Sequence, residues 1–149
     1  MKQDIEAVIV NMLLRAARRK QLIPYDTFHT TFAPATPLKV RYATLERAAA
    51  SICRPDVADY GCLLSTASGL PGHDFFERFG RTHIARLNAI RGADSRRHLK
   101  LSEKRLFARE ARRDVYRHYR EELKRVKDIC RDLGITGAGV GVLSAFASS

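Results

Sequence analysis

The sequence predicts a mainly α-helical fold with a small β-hairpin. Apolar residues recur every three or four positions through most of the chain, which is the period of an amphipathic helix. One apolar run, Tyr60 to Leu64, has the length of a strand and precedes a glycine-containing turn. Hydrophobic residues make up 45% of the 149 residues, which is enough to form the core of one domain, or of one domain with an arm.

The first half of the chain is predicted to hold three helices. Residues 3–20 carry apolar side chains at helical spacing. After a short extended link, Asp26 can cap a short second helix. Thr36 followed by Pro37 predicts the start of a third helix, since threonine caps helices and proline suits the first helical position. This helix is expected to end near Cys53.

The run from Tyr60 to Leu64 is predicted to be the first strand of the hairpin. Ser68 and Gly69 form the expected turn, because glycine adopts positive φ without steric cost. The return strand must be short, since Pro71 cannot donate a hydrogen bond to a ladder.

Two further helices follow. Asp74, with a glutamate three residues later, predicts the start of a helix that continues to Gly92. Ser102 and Glu103 predict the start of the longest helix, which extends to about Leu133.

The net charge of +11 is distributed unevenly. Residues 1–80 contain 10 Lys and Arg against 8 Asp and Glu, whereas residues 81–149 contain 17 against 8. A basic surface of this kind attracts polyanions, such as nucleic acid, anionic lipid or an acidic protein.

The predicted longest helix carries most of this charge on one face. At 100° per residue, its apolar and basic side chains separate into two stripes. Four acidic residues lie beside the basic stripe, and the pairs Glu110–Arg113, Asp114–Arg117, Glu121–Lys124 and Asp128–Arg131 are predicted at i, i+3 spacing. The basic positions proposed to contact nucleic acid are Arg109, Arg113, Arg117, Arg120, Lys124 and Lys127, together with Arg96, Arg97 and Lys100 just before the helix.

The order of elements resembles that of the winged helix-turn-helix family over about residues 3–76. In this resemblance, "PYDTFHTTFAPATPLKVRYATLERAAASICRP" is the two-helix unit and "YGCLLSTASGLPG" is the wing. The second helix of such a unit enters the major groove of DNA. The resemblance therefore implies that Lys39, Arg47 and Arg54 face nucleic acid.

Three regions are predicted from these features. Residues 1–79 form the winged-helix-like unit, residues 80–133 form a basic helical arm packed on it, and residues 134–149 form an uncharged tail rich in Gly, Ala and Ser.

The leading functional hypothesis is a non-enzymatic nucleic-acid-binding protein, with DNA favoured over RNA, such as a regulator from a bacterium or a mobile element. The alternative is a protein-interaction module that binds an acidic partner or a nucleoprotein complex, as a regulator or a phage counter-defence protein does. A small hydrolase or nuclease that uses His73 and Asp74 is the weakest hypothesis, because the carboxylates needed for a metal are not clustered.

No cofactor or metal is predicted, and the histidines show no metal-binding spacing. Three cysteines without a CxxC pair fit a cytoplasmic protein. No apolar run reaches the length of a membrane span, so no membrane partner is expected, while homo-oligomers are compatible with the sequence.

Overall fold

The structure, a computed structural model, describes residues 4–92 and 98–134. Six α-helices, one 3₁₀ helix and two short strands occur in these residues, which confirms the mainly α class with a small β element. In chain order they are α1 (Ile5–Arg19), β1 (Ile23–Pro24), α2 (Tyr25–His29), α3 (Leu38–Ile52), the 3₁₀ helix (Tyr60–Leu63), β2 (Leu64–Ser65), α4 (His73–Thr82), α5 (Ile84–Arg91) and α6 (Leu101–Asp132).

Helix α1 lies at the centre of the packing. Its first turn is capped by Asp4, whose carboxylate accepts a hydrogen bond from the Ala7 N–H at 3.3 Å. Ile9 and Leu13 are fully buried, and the helix packs against α3, α6 and the 3₁₀ helix. The chain leaves α1 at Lys20, whose φ of 51° lies in the left-handed region.

The β element is not the predicted hairpin. Leu64–Ser65 pairs in parallel with Ile23–Pro24, so the two strands belong to distant parts of the chain. The apolar run Tyr60–Leu63 instead forms a buried 3₁₀ helix, because the Asp59 carboxylate accepts the Gly61 N–H at 2.8 Å and holds the chain in a turn. The order of helices and strands is still compatible with a winged helix.

The predicted turn at Ser68 and Gly69 is present without flanking paired strands. The Thr66 N–H donates to the Leu70 carbonyl at 2.8 Å and closes the turn. Gly69 has a φ of +84°, as its position in the turn predicts. We call residues 66–70 the turn segment.

The helix predicted from Asp74 to Gly92 is divided into α4 and α5. The backbone of His83 leaves helical geometry, with φ of −132° and ψ of 44°, and separates the two. Helix α4 begins one residue before Asp74, with Gly72 as its N-cap, because the Asp74 carboxylate is turned inward. Gly92 ends α5 as predicted, with a φ of +65°.

Helix α6 is unbroken over 32 residues and packs on α1 and the 3₁₀ helix. Glu103 accepts a hydrogen bond from the Lys100 N–H at 2.7 Å, which fixes the start of the helix. Phe107 packs against Phe79 of α4 with ring centroids 4.6 Å apart. The predicted tail lies outside the described residues, apart from Gly134. None of the helices described is both long enough and apolar enough to span a membrane.

Candidate nucleic-acid interface

One face of α6 is basic and exposed to solvent, as the periodicity predicts. Residues three or four positions apart lie on the same side of a helix, so its cations follow one another along the axis. The helix is unbroken along this row. Among the described residues, four arginines of α6 are exposed and have no carboxylate within 4 Å: Arg105, Arg109, Arg113 and Arg120.

Glu110 and Asp114 lie beside this row rather than within it. At 100° per residue the row spans about 80° from Arg105 to Arg113, and Glu110 and Asp114 lie about 60° and 100° beyond Arg113. The predicted pair of Asp114 with Arg117 is confirmed at 2.7 Å, and so is the pair of Asp128 with Arg131 at 3.3 Å.

The other two predicted pairs are not formed between the described side chains. Glu110 pairs with Arg86 of α5 instead of Arg113, because the inward turn of Glu110 brings it to the neighbouring helix. Lys124 is exposed and has no carboxylate within 4 Å among the residues described. The carboxylates of Glu110, Asp114 and Asp128 therefore pair with Arg86, Arg117 and Arg131. Arg113 keeps an uncompensated positive charge.

The basic row forms one side of a groove of about 560 Å³. Its opposite walls come from the turn segment and from the end of α1, which the sequence alone does not place beside α6. The groove is lined by six basic side chains and, within the described chain, by no acidic one. We call this the basic groove; its lining is Lys20, Ser68, Gly69, Leu70, Arg105, Ala108, Arg109, Arg112, Arg113, Tyr116 and Arg120.

Arg112 holds the turn segment against α6. Its Nε donates to the Cys62 carbonyl at 2.9 Å and its Nη1 donates to the Gly69 carbonyl at 2.9 Å. Nη2 adds a longer bond of 3.4 Å to the Leu64 carbonyl. Burial lowers the pKa of the Arg112 guanidinium from its ordinary value. Arg112 thus shapes the wall of the basic groove. This role could not be predicted from the sequence, where Arg112 is one of several neighbouring arginines.

Tyr116 places an aromatic ring in the basic groove. The ring is half-buried, and this burial raises the pKa of the phenol. The Lys20 Nζ lies 6.0 Å from the ring centroid, which is the limit of a cation–π contact. Lys20 is the residue with left-handed backbone at the end of α1, so an unusual conformation directs a cation to the groove.

The predicted contact residues are divided among several places. Arg109, Arg113 and Arg120 line the basic groove, whereas Arg117, Lys124 and Lys127 are exposed elsewhere on α6. Lys100 is exposed at the start of α6. Arg96 and Arg97 lie outside the described residues.

The predicted contact residues on α3 and just after it lie far from this row in the chain, and two of the three are paired with carboxylates. Lys39, Arg47 and Arg54 are exposed. The Arg47 Nε is 3.5 Å from a Glu6 oxygen, and Arg54 forms two hydrogen bonds with Asp56. Hence α3 offers less uncompensated positive charge than α6.

A second cluster of polar side chains was not predicted from the sequence. Arg78 is 4% exposed and lies between two carboxylates, with Nε 2.8 Å from Asp59 and Nη1 3.0 Å from Asp74. Burial lowers the pKa of Arg78, but the two carboxylates more than offset this effect and raise it overall. We call Tyr25, Asp59, Asp74 and Arg78 the buried ion cluster.

Tyr25 and two glycines complete this cluster. The Tyr25 hydroxyl donates to Asp74 at 2.6 Å and accepts the Gly72 N–H at 2.7 Å. A Cβ at Gly72 would lie 2.9 Å from the Tyr25 Oη, and a Cβ at Gly61 would overlap the Arg78 guanidinium. Gly72 has an ordinary backbone conformation, with φ of −83°, so this position requires glycine because Tyr25 leaves no room for a side chain.

His73 and Asp74 are not brought together as an acid–base pair. His73 is exposed, with its Nε2 3.0 Å from Glu77, while Asp74 faces inward to Tyr25 and Arg78. In the described ranges, no group of three or more His, Cys, Asp or Glu side chains could hold a metal ion.

Comparison of the chain with protein-family models, with curated proteins and with solved structures gave no match. The site is therefore interpreted from its own geometry.

Proposed function

We propose that this chain is a non-enzymatic nucleic-acid-binding protein whose phosphate contacts are made by the basic groove. The observation that carries the proposal is the convergence of six basic side chains from α1 and α6 on one groove that no described carboxylate lines. The turn segment encloses them on one side, so the charge is concentrated in a concave site rather than spread over the surface.

Electrostatics favours a polyanion in this groove. Neighbouring like charges repel one another, and Arg105, Arg109 and Arg113 follow each other at i, i+4 spacing, about 6 Å apart along the axis. A phosphate backbone reduces this repulsion and releases condensed counterions, so its binding weakens as the salt concentration rises. Arginine also donates in a planar fork that matches phosphate oxygens.

The winged-helix resemblance suggests a second set of phosphate contacts, at α3. In the winged-helix resemblance, α3 is the second helix of the two-helix unit. Lys39 and Arg47 are exposed on α3, and Arg54 is exposed just after its end. Because Arg47 and Arg54 are already paired with carboxylates, we assign α3 secondary phosphate contacts and the groove the main ones. The resemblance favours DNA over RNA.

Two triple variants with equal loss of charge test this assignment. One replaces Arg109, Arg113 and Arg120 by alanine, and the other replaces Lys39, Arg47 and Arg54. We expect the first to weaken binding of a fluorescent oligonucleotide by on the order of tenfold or more at about 0.1 M salt, and the second to have a much smaller effect. Equal effects would show that only net charge matters, and unchanged binding by the first variant would refute the proposal.

An acidic protein is the second candidate partner. It is supported by the apolar Leu70 and the ring of Tyr116 beside the arginines, since such a mixed surface also suits carboxylates on a protein. A partner protein that co-purifies through the groove arginines after nuclease treatment, with no oligonucleotide binding by the purified chain, would favour this candidate.

A further inference from the structure

The basic groove combines two kinds of contact surface. Its arginines offer charge, while Leu70 and the ring of Tyr116 offer apolar surface at the same site. A surface that contacts only phosphates needs no aromatic ring.

Tyr116 lies between cations along the helix. Arg112 and Arg113 precede it by about one turn, and Arg120 follows it by one turn. An aromatic group stacked on the ring would thus have a guanidinium within reach in each direction along α6. This order matches a nucleotide chain, in which every base is flanked by a phosphate on either side.

A duplex cannot use this arrangement. Its bases are stacked on one another inside the helix, and a protein reaches a base face only after the base is flipped out or the strands are separated. Single strands expose their base faces, and proteins that bind them combine a positive groove with aromatic stacking platforms.

We propose that the basic groove binds single-stranded nucleic acid, with one base stacked on Tyr116 and the flanking phosphates held by Arg113 on one side and Arg120 on the other. This inference rests on the proposed function and specifies its ligand. Lys20, which now lies over the ring, would move to a phosphate when the base enters.

The first test needs no variant. Binding of the wild-type chain is measured for a fluorescent strand of about 12 nucleotides, the duplex of the same length, and an abasic strand of the same charge. We expect the base-bearing strand to bind about tenfold more tightly than the abasic strand and the duplex. Equal affinities would overturn the proposal. DNA and RNA strands of one sequence are both measured. Tighter binding of either strand than of its duplex supports the proposal, and the difference in affinity between the two strands shows whether deoxyribose or ribose is favoured.

The second test uses the absence of tryptophan from the sequence. A Tyr116→Trp variant carries a single tryptophan in the groove, and we expect a base-bearing strand to quench its fluorescence while an abasic strand does not. Tyr116→Leu, which removes the ring but keeps an apolar side chain, should lose about tenfold in affinity for the base-bearing strand alone. Equal loss on the abasic strand would show that Tyr116 only supports the fold, and would contradict stacking.

The two proposals fail in different ways. If alanine at Arg109, Arg113 and Arg120 leaves all binding unchanged, the groove is not the phosphate site and the proposed function fails. If those substitutions abolish binding while base-bearing and abasic strands bind the wild-type chain alike, the proposed function stands and only the stacking on Tyr116 is refuted.

Discussion

Arg78 and Arg113 are the same residue type in opposite surroundings. Arg78 is 4% exposed and lies between the Asp59 and Asp74 carboxylates, at 2.8 and 3.0 Å. Arg113 is exposed on the basic groove, where its neighbours are cations and an aromatic ring. The buried ion cluster joins α4 to α2 and to the chain before the 3₁₀ helix, whereas the basic groove leaves its charge open to solvent.

This difference separates an arginine that stabilises the fold from one that we propose binds a ligand. A buried guanidinium is tolerated only when carboxylates and hydrogen bonds compensate the loss of water, so removing one partner is costly. An exposed arginine among like charges contributes little to folding, and repulsion from its neighbours is mildly destabilising. Among the described residues, no carboxylate lines the groove, so its positive charge is not neutralised within the chain. An anionic partner would supply the opposite charge.

The largest expected effect concerns the buried ion cluster. Replacing Arg78 by methionine leaves the Asp59 and Asp74 carboxylates without a cation, with side chains only 8% and 12% exposed. We expect the free energy of unfolding to fall by about 3–5 kcal/mol, measured by urea denaturation at pH 7.

Arg81→Met on the same helix is the matched control. Arg81 is exposed and pairs with Glu46 at 3.1 Å, so its replacement should lower the free energy of unfolding by less than about 1 kcal/mol. Similar losses for the two variants would show that burial of Arg78 does not distinguish it from a surface arginine.

A smaller effect is expected from Tyr25 and depends on pH. Burial, and then the hydrogen bond to Asp74, raise the pKa of Tyr25 well above its ordinary value. The folded chain thus keeps this proton to higher pH than the unfolded chain. The resulting stability is fully present below about pH 10, the ordinary tyrosine pKa, and is lost as the pH rises above it.

Tyr25→Phe tests this dependence. At pH 7 the variant should lose about 1–3 kcal/mol of stability, because Gly72 and Asp74 lose a hydrogen-bonding partner. Above pH 10 the unfolding free energy of the variant should fall less steeply with pH than that of the wild type. The difference between the two slopes should be at most about 1.4 kcal/mol per pH unit. Parallel curves of unfolding free energy against pH would contradict the assignment.

Arg112 lies where the internal packing of the chain borders the proposed binding surface. Arg112 lines the basic groove but donates to the carbonyls of Cys62, Leu64 and Gly69. Arg112→Lys keeps the positive charge but loses the planar guanidinium that reaches three carbonyls. We therefore expect the free energy of unfolding to fall by about 1 kcal/mol and amide hydrogen exchange in the turn segment to become faster. Arg113→Lys should change neither quantity; unchanged exchange in the Arg112 variant would show that the turn segment does not depend on it.

The exposed face of α6 could be predicted from the sequence because it depends on local periodicity alone. Arg109, Arg113 and Arg120 recur at helical spacing, and an uninterrupted helix puts them on one side. The groove could not be predicted, because its other walls come from Lys20 and the turn segment. These residues are distant in the chain and meet α6 only through tertiary packing.

The buried ion cluster was missed for a similar reason. Tyr25 and Asp74 are 49 positions apart, and Asp59 and Arg78 are 19 apart. Each is an ordinary polar residue when read locally, and Asp74 even fits a helix cap. The hairpin prediction failed because an apolar run of this length suits a strand or any other fully buried segment. Here the Asp59 side chain selects a 3₁₀ helix.

The salt dependence of binding tests the central claim most directly. A plot of the logarithm of the binding constant against that of the salt concentration has a slope set by the number of phosphates neutralised, about 0.7 per phosphate for a single strand. The account predicts that alanine at Arg109, Arg113 and Arg120 reduces the magnitude of this slope by about 2, while alanine at Lys39, Arg47 and Arg54 changes it much less. A slope that is the same in the wild type and in the groove variant would contradict the account.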